Sequence, residues 1–208
     1  SPLLDLESQL EVPSLLIGKS GNFQLKSHDF TTQSIHLHDG ATMEVLVPEV
    51  DDSQSVTFPE LTLGFGVEMT FTAGNVTISA TDLEMLPTSV IKTPSRPAYI
   101  HVLANTMQLH DNAQISVTAQ GRDDSVPSTA GGSHGGDGGN NNCNCTHGSI
   151  STPTDVGTGP TGSPGGGSIW LQISSSLLLD GRLTADGAHA ASAATGGGSG
   201  GSVFIQTA

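Results

Sequence analysis

Residues 34–45 read Ser34-Ile35-His36-Leu37-His38-Asp39-Gly40-Ala41-Thr42-Met43-Glu44-Val45, and the same phrase returns further along the chain. Residues 60–71 read ELTLGFGVEMTF and residues 106–117 read TMQLHDNAQISV. Each copy has a leucine (Leu37, Leu63 or Leu109), then Gly40, Gly66 or Asn112 three residues later, then Met43, Met69 or Ile115, then Val45, Phe71 or Val117. Around Leu179 the run SSLLLDGRLTADG repeats the phrase through Leu179, Gly181, Leu183 and Ala185, with one residue deleted from the turn. Apolar residues that alternate over four to six positions and then stop at Gly, Asn, Asp or Pro mark strands and turns. Gly and Asn are the residues that accept positive φ. Only Leu3, Leu6 and Leu10 approach helical spacing, and Pro13 limits that segment.

The distance between copies predicts how the strands are arranged. Leu37 to Leu63 is 26 residues, and Leu63 to Leu109 is 46, or twice 23 with Leu86 midway. Leu109 to Leu179 is 70, one unit plus a long insertion. An all-strand unit of 22–26 residues suits one coil of a parallel β-solenoid, in which inward residues of successive coils stack into one core. The competing architecture, an antiparallel sandwich, gives no reason for one leucine–turn–apolar phrase to recur at coil spacing. A narrow coil also accounts for the composition. Hydrophobic residues are 35% and charged residues 12%, against about 45–50% and about 25% in ordinary domains.

Glycine divides the chain. Six of the 27 glycines fall in residues 1–120 and 21 in residues 121–208. The expected organisation is one continuous solenoid: an N-terminal cap or interface segment at 1–17, coils at 18–120, a Gly-rich insertion at 121–168 and C-terminal coils at 169–208. Gly before a strand lets the backbone approach a neighbouring coil closely, so these tracts are expected to be ordered contacts rather than slack.

Charge excludes some partners. Twenty acidic and six basic residues give a formal charge of −14, so no phosphate-neutralising surface can be built and nucleic acid is not an expected partner. An anionic membrane is excluded on the same ground. No run of about 18 apolar residues spans a bilayer, and no basic-then-apolar leader precedes Ser1, so the sequence reads as soluble mature chain.

Two glycine tracts lead into strands, Gly165-Gly166-Gly167-Ser168-Ile169-Trp170-Leu171-Gln172-Ile173 and the run from Gly196 to Thr207. Between them lies Leu177-Leu178-Leu179-Asp180-Gly181-Arg182-Leu183-Thr184-Ala185-Asp186-Gly187. This region, over residues 98–208, resembles the glycine-rich parallel β-helix repeats, of pattern GGGSGGSIxI then LxLxGxIxAxG, of large secreted and cell-surface proteins. The resemblance implies a pectin-lyase-like right-handed solenoid in an extracellular structural or adhesive setting. It implies no catalytic residues. The sequons Asn75-Val76-Thr77 and Asn144-Cys145-Thr146 make Asn75 and Asn144 candidate glycosylation sites and agree with a secreted or cell-surface protein.

Cys143 and Cys145 are the only cysteines, and with His134, Asp137 and His147 they form the densest set of ligand types. A Cys143–Cys145 disulfide is the expected state outside the cell, with a metal, free thiols or linkage to another chain as alternatives. No cofactor is required, but calcium is admissible, and its candidates are Asp51, Asp52, Asp123, Asp124 and Asp137. His38-Asp39 and His110-Asp111 occupy one turn of the repeat about three coils, or roughly 14 Å, apart, too far to share an ion.

The expected function is that of an extracellular scaffold, matrix or adhesive element, as a head-to-tail filament subunit or a stretch of a longer array, whose partners are itself, neighbouring repeats, glycans or matrix. The alternative is a carbohydrate-binding or polysaccharide-cleaving β-helix, for which Trp170, Tyr99 and Phe65 are the candidate aromatics. A polyuronate lyase needs clustered cations, and Lys19, Lys26, Lys92, Arg96, Arg122 and Arg182 form no cluster in sequence. No GxSxG or HExxH motif is present, and no enzymatic activity is expected.

Overall fold

The computed structural model describes residues 3–5, 10–26, 30–46, 53–123, 129–135, 146–190, 192 and 195–208. Among them the chain forms β1 (Leu3–Asp5), β2 (Leu10–Ile17), β3 (Asn22–Lys26), β4 (Phe30–Leu37), β5 (Thr42–Leu46), β6 (Ser53–Leu63) and β7 (Glu68–Phe71). It continues through β8 (Asn75–Met85), β9 (Val90–Lys92), β10 (Tyr99–Leu109), β11 (Gln114–Ser116), β12 (Ser168–Leu179), β13 (Arg182–Thr184) and β14 (Ser202–Thr207), with no helix among the described residues. The protein is all-β. Odd-numbered strands form one seven-stranded sheet and even-numbered strands another, each in chain order. Every neighbouring pair is parallel.

Register follows the repeated phrase. Ile17, Leu37, Leu63, Met85, Leu109 and Leu179 are successive partners across the even sheet. Met43, Met69, Ile91 and Ile115 are successive partners across the odd sheet, each at most 1% exposed. Side chains from both sheets join one hydrophobic cluster. A one-residue slip of any strand would turn its whole apolar set outward, so this column of like residues is what fixes the register. Each buried Leu, Ile or Met contributes about 1.5–3 kcal/mol of transfer free energy.

The turns between an even strand and the next odd strand are built alike. Gly21, Ala41, Val67, Ser89 and Ala113 donate to the carbonyls of Gly18, His38, Gly64, Leu86 and His110, three residues earlier. The third residue of each turn, Ser20, Gly40, Gly66, Thr88 or Asn112, has φ between 56° and 68°, the requirement of a type II turn. The turns also hydrogen-bond to one another, with Ser20, Gly40 and Gly66 donating to Asp39, Phe65 and Pro87.

Within the segment 1–17, β1 and β2 pair with β3 and β4, so its described residues join the same two sheets. Two expectations are corrected. The residue midway between Leu63 and Leu109 is Met85, not Leu86, which is the first residue of the next turn. The turn after Leu179 lacks two residues rather than one, because Leu109 and Gln114 pair with Leu179 and Arg182.

The described part of the Gly-rich insertion contains no strand before Ser168 and yet is packed. Residues 156–160 and 163–169 are all buried. Their contacts are backbone to backbone: Gly121 donates to Gly165, Gly157 to Gly166, Gly166 to Ser199, Ser199 to Thr158, and Ser202 to Gly167. A methyl group at Gly121, Gly157, Gly165, Gly166 or Gly201 would collide with the backbone of a neighbouring segment. None of these five glycines has positive φ, so close approach is the reason for glycine here.

Candidate functional site

The outward face of the even sheet carries the chain's aromatic cluster. Strand alternation turns Val76, Ile100, Ile169 and Leu171 into the core and leaves Tyr99, His101 and Trp170 pointing outward, half-buried. Trp170 lies between its register partners His101 of β10 and Phe204 of β14. The His101 and Trp170 rings stack with centroids 4.1 Å apart and planes 9° apart, and Phe204 lies beyond Trp170 at 5.9 Å and 37°. Burial lowers the pKa of His101 below its ordinary value, against a smaller opposing effect of its hydrogen bond to the Gln172 side chain. His101 Nε2 and Trp170 Nε1 are buried without a hydrogen-bond partner in the structure.

This arrangement decides what Trp170 can do. With its register partners on both sides, the indole is one layer of an aromatic ladder rather than an open platform for a sugar ring. Tyr99 is in the neighbouring column, with Asn75 and Ser168 as partners. Phe65 is 51% exposed in the turn beyond the far end of β6, roughly 30 Å along the strand direction from the Tyr99 column. The three aromatic candidates therefore do not meet in one groove. A clue to the ladder lay in the aligned phrases Gly167-Ser168-Ile169-Trp170 and Gly201-Ser202-Val203-Phe204, which put two aromatics at one offset.

The insertion packs over the start of β14. Ser202 Oγ lies 2.6 Å from the Asp155 carbonyl oxygen and 3.1 Å from His134 Nε2. The carbonyl only accepts, so the serine hydroxyl donates to it and the imidazole N–H donates to the serine oxygen. A nucleophilic serine needs the reverse polarity, with its proton directed at the imidazole. Ser202 is also 3% exposed, so the pair fastens the insertion to the sheet and offers no hydrolytic centre. His147 Nε2 donates to the Val156 carbonyl at 2.9 Å, and its ring meets that of His134 edge to face at 5.1 Å. Ser133, Thr158 and Ser199 complete the fastening: the Ser133 amide donates to Thr158 Oγ1 at 2.9 Å, and the Thr158 amide to Ser199 Oγ at 3.0 Å.

Of the sequence candidates, Asp51, Asp52, Asp124, Asp137, Cys143, Asn144 and Cys145 lie outside the described residues. Of the densest ligand set, the structure brings His134 and His147 together. Asp123 forms an ion pair with Arg96 at 3.1 Å, and Lys92 forms one with Glu68 at 2.8 Å. Asp39 Oδ1 accepts the Phe65 amide at 3.1 Å, and Asp111 Oδ2 accepts from the Asn112 side chain at 2.8 Å. His38 and His110 begin equivalent turns three units apart. Among the described residues no three His, Cys, Asp or Glu side chains are grouped to hold a metal ion.

Two further surfaces stand out. A groove of about 380 Å³ crosses the outward face of the even sheet, lined by Thr57, Ser79, Thr81, Asn105, Gln172 and Ser174 among others. β14 is the last strand of the even sheet, and its inward-pointing Val203 and Ile205 are each 39% exposed. Their β12 partners Ile169 and Leu171 are 0% exposed. Leu178 and Leu179, beyond the span paired with β14, are exposed as well. Comparison with protein-family models, curated proteins and solved structures finds no match to this chain.

Proposed function

We propose that the chain winds as a right-handed parallel β-solenoid and serves as a structural or adhesive element outside the cell, where further coils stack on its end. The observation that carries this is the exposed apolar edge: Val203 and Ile205 occupy core positions on β14, an edge strand paired on one side only, and Leu179 is exposed further along β12, beyond the span that β14 covers. An unpaired parallel edge with its apolar row exposed is a template for another strand of the same kind. The occupant is a further coil, from a second copy of the chain or from a neighbouring repeat. The alternation of strands between two parallel sheets and the stacked type II turns support the solenoid. The likeness to glycine-rich β-helix repeats and the two sequons support the extracellular setting.

Sedimentation and electron microscopy of the purified chain, with and without a calcium chelator, test this reading. End-to-end assemblies that vanish in Val203→Asp/Ile205→Asp support it, and their loss on chelation adds calcium as a joint. Discrete monomers of the unaltered chain under both conditions refute self-stacking.

A carbohydrate-binding role is the second reading, favoured by the outward groove, where the hydroxyl and amide groups of Thr57, Ser79, Asn105 and Gln172 stand among the apolar Pro59, Ala80 and Leu103, a mixture that suits an uncharged sugar. Titration with neutral and acidic oligosaccharides tests it. Cleavage has no support in the Ser202–His134 pair, whose hydrogen bonds run the wrong way.

A further inference from the structure

We propose that Asn75 carries an N-linked glycan whose first N-acetylglucosamine packs against the ring of Tyr99, an inference that rests on the extracellular reading above. Asn75 opens β8, and strand alternation sends Asn75 and Thr77 to the outward face while Val76, 0% exposed, is held in the core. The buried valine fixes the strand's rotation, so both polar members of the sequon face solvent together. Asn75 is exposed, and its two register partners differ in shape: Ser53 on β6 is small, and Tyr99 on β10 presents a ring. Adjacent strands lie about 4.8 Å apart, which puts the ring within reach of the first sugar on the Asn75 amide. The Tyr99 backbone is held beside the sequon by its amide, which donates to the Gly74 carbonyl at 2.7 Å.

Ser53, Asn75, Pro97 and Tyr99 together line a hollow of about 330 Å³, within the size range of sites that hold small ligands. The C–H face of a pyranose ring is complementary to an aromatic face, and the Pro97 ring adds a second apolar wall. The serine side leaves the glycan an exit to solvent. The four residues form a seat for a covalently tethered sugar, separate from the Trp170 ladder, whose indole is sandwiched between its neighbours.

The test uses the chain secreted from a eukaryotic host in an Asn144→Gln background, so that modification reports on Asn75 alone. Intact mass before and after enzymatic deglycosylation measures occupancy, and thermal unfolding measures the contribution of the sugar. The expected result is a glycan absent from Asn75→Gln, whose removal lowers the Tm of the Tyr99 protein by about 2–4 °C and leaves Tyr99→Ala nearly unchanged. If Tyr99→Ala does not fold, Tyr99→Leu keeps bulk without the aromatic ring and serves in its stead. An unmodified Asn75 in the folded secreted chain overturns the proposal, as does an equal loss of Tm with and without the ring. Neither outcome bears on end-to-end stacking, and monomers that carry the glycan count against the stacking reading alone.

Discussion

Gly200 and Gly201 are adjacent, yet the structure assigns them opposite responses to the same substitution. A Cβ at Gly201 would overlap the Gly167 carbonyl oxygen and lie 2.6 Å from the carbonyl carbon and oxygen of Gly166, where ordinary contact begins at 3.4 Å. Clearing Gly166 alone needs a separation of about 0.8 Å, and the nearer Gly167 carbonyl oxygen demands more. No side chain can rotate away, because every atom in the path is backbone. The displacement bears on the Gly201 amide bond to the Ala185 carbonyl at 2.7 Å and the Ser202 amide bond to the Gly167 carbonyl at 3.1 Å. Overpacking of this kind costs about 1–3 kcal/mol, and each strained hydrogen bond about 1 kcal/mol more, so Gly201→Ala is expected to lose about 3 kcal/mol. At Gly200 the nearest atom to a Cβ is the Ala185 carbonyl oxygen at 3.9 Å, and φ is not positive. Gly200→Ala is therefore expected to be neutral or to gain about 0.4–1 kcal/mol through the unfolded state. Urea unfolding followed by circular dichroism gives the global difference. The single tryptophan reports the local one, since Phe204 of β14 packs on Trp170 and displacement of that strand alters the indole's surroundings. Equal stability and equal Trp170 emission in Gly200→Ala and Gly201→Ala would refute the view that the glycine tracts exist for close backbone approach.

Gly40→Ala tests conformation without crowding: there is room for the methyl, with Ser20 Oγ 3.6 Å away, but φ is 68°. A loss of about 1–2 kcal/mol in urea is expected. Thr88→Gly, at φ 65° in the equivalent turn, is expected to gain up to about 1 kcal/mol by the same measurement. Leu61, 0% exposed in the core, should cost about 2–5 kcal/mol as Leu61→Ala in the same assay. Burial lowers the folded-state pKa of His101 from its ordinary 6.5, so the unfolded chain takes up the proton first as pH falls. The stability contribution of the neutral ring is complete above pH 6.5 and is lost as pH falls through the folded-state value. His101→Phe keeps a ring on Trp170 without the titration, and its Tm should fall less steeply than that of the unaltered chain below pH 6.5.

Much of the architecture was legible because the repeat is written in apolar spacing. Leu37, Leu63 and Leu109, with Gly40, Gly66 and Asn112 after them, gave the strand–turn–strand unit and its length, and all three unit turns have the positive φ that these residues foretell. Elsewhere an unexpected residue takes that conformation. Ser20 masked the turn after Ile17, and Thr88, β-branched and poorly suited to positive φ, masked the turn after Met85, so that spacing alone puts this unit at Leu86, one residue late. There the stacking of a turn between its neighbours over-determines a conformation that local preference opposes. The sequons were readable as motifs, but only register shows that Asn75 has Tyr99 beside it.

The sequence by itself determined the repeat length, the strand and turn character, and the acidic charge, because these depend on residue types at fixed offsets along one chain. The recurrence also pointed from Leu109 to Leu179, but tertiary structure alone decided how the described residues between them pack. It set His101, Trp170 and Phe204 in one ladder, turned Ser202 into a donor toward a carbonyl rather than toward His134, and made buried contacts from glycines that show no apolar pattern. Contacts between backbones leave no hydrophobic period in the sequence, since their specificity lies in hydrogen bonds and in the absence of a Cβ. That is why the insertion shows no apolar period and yet packs as part of the protein.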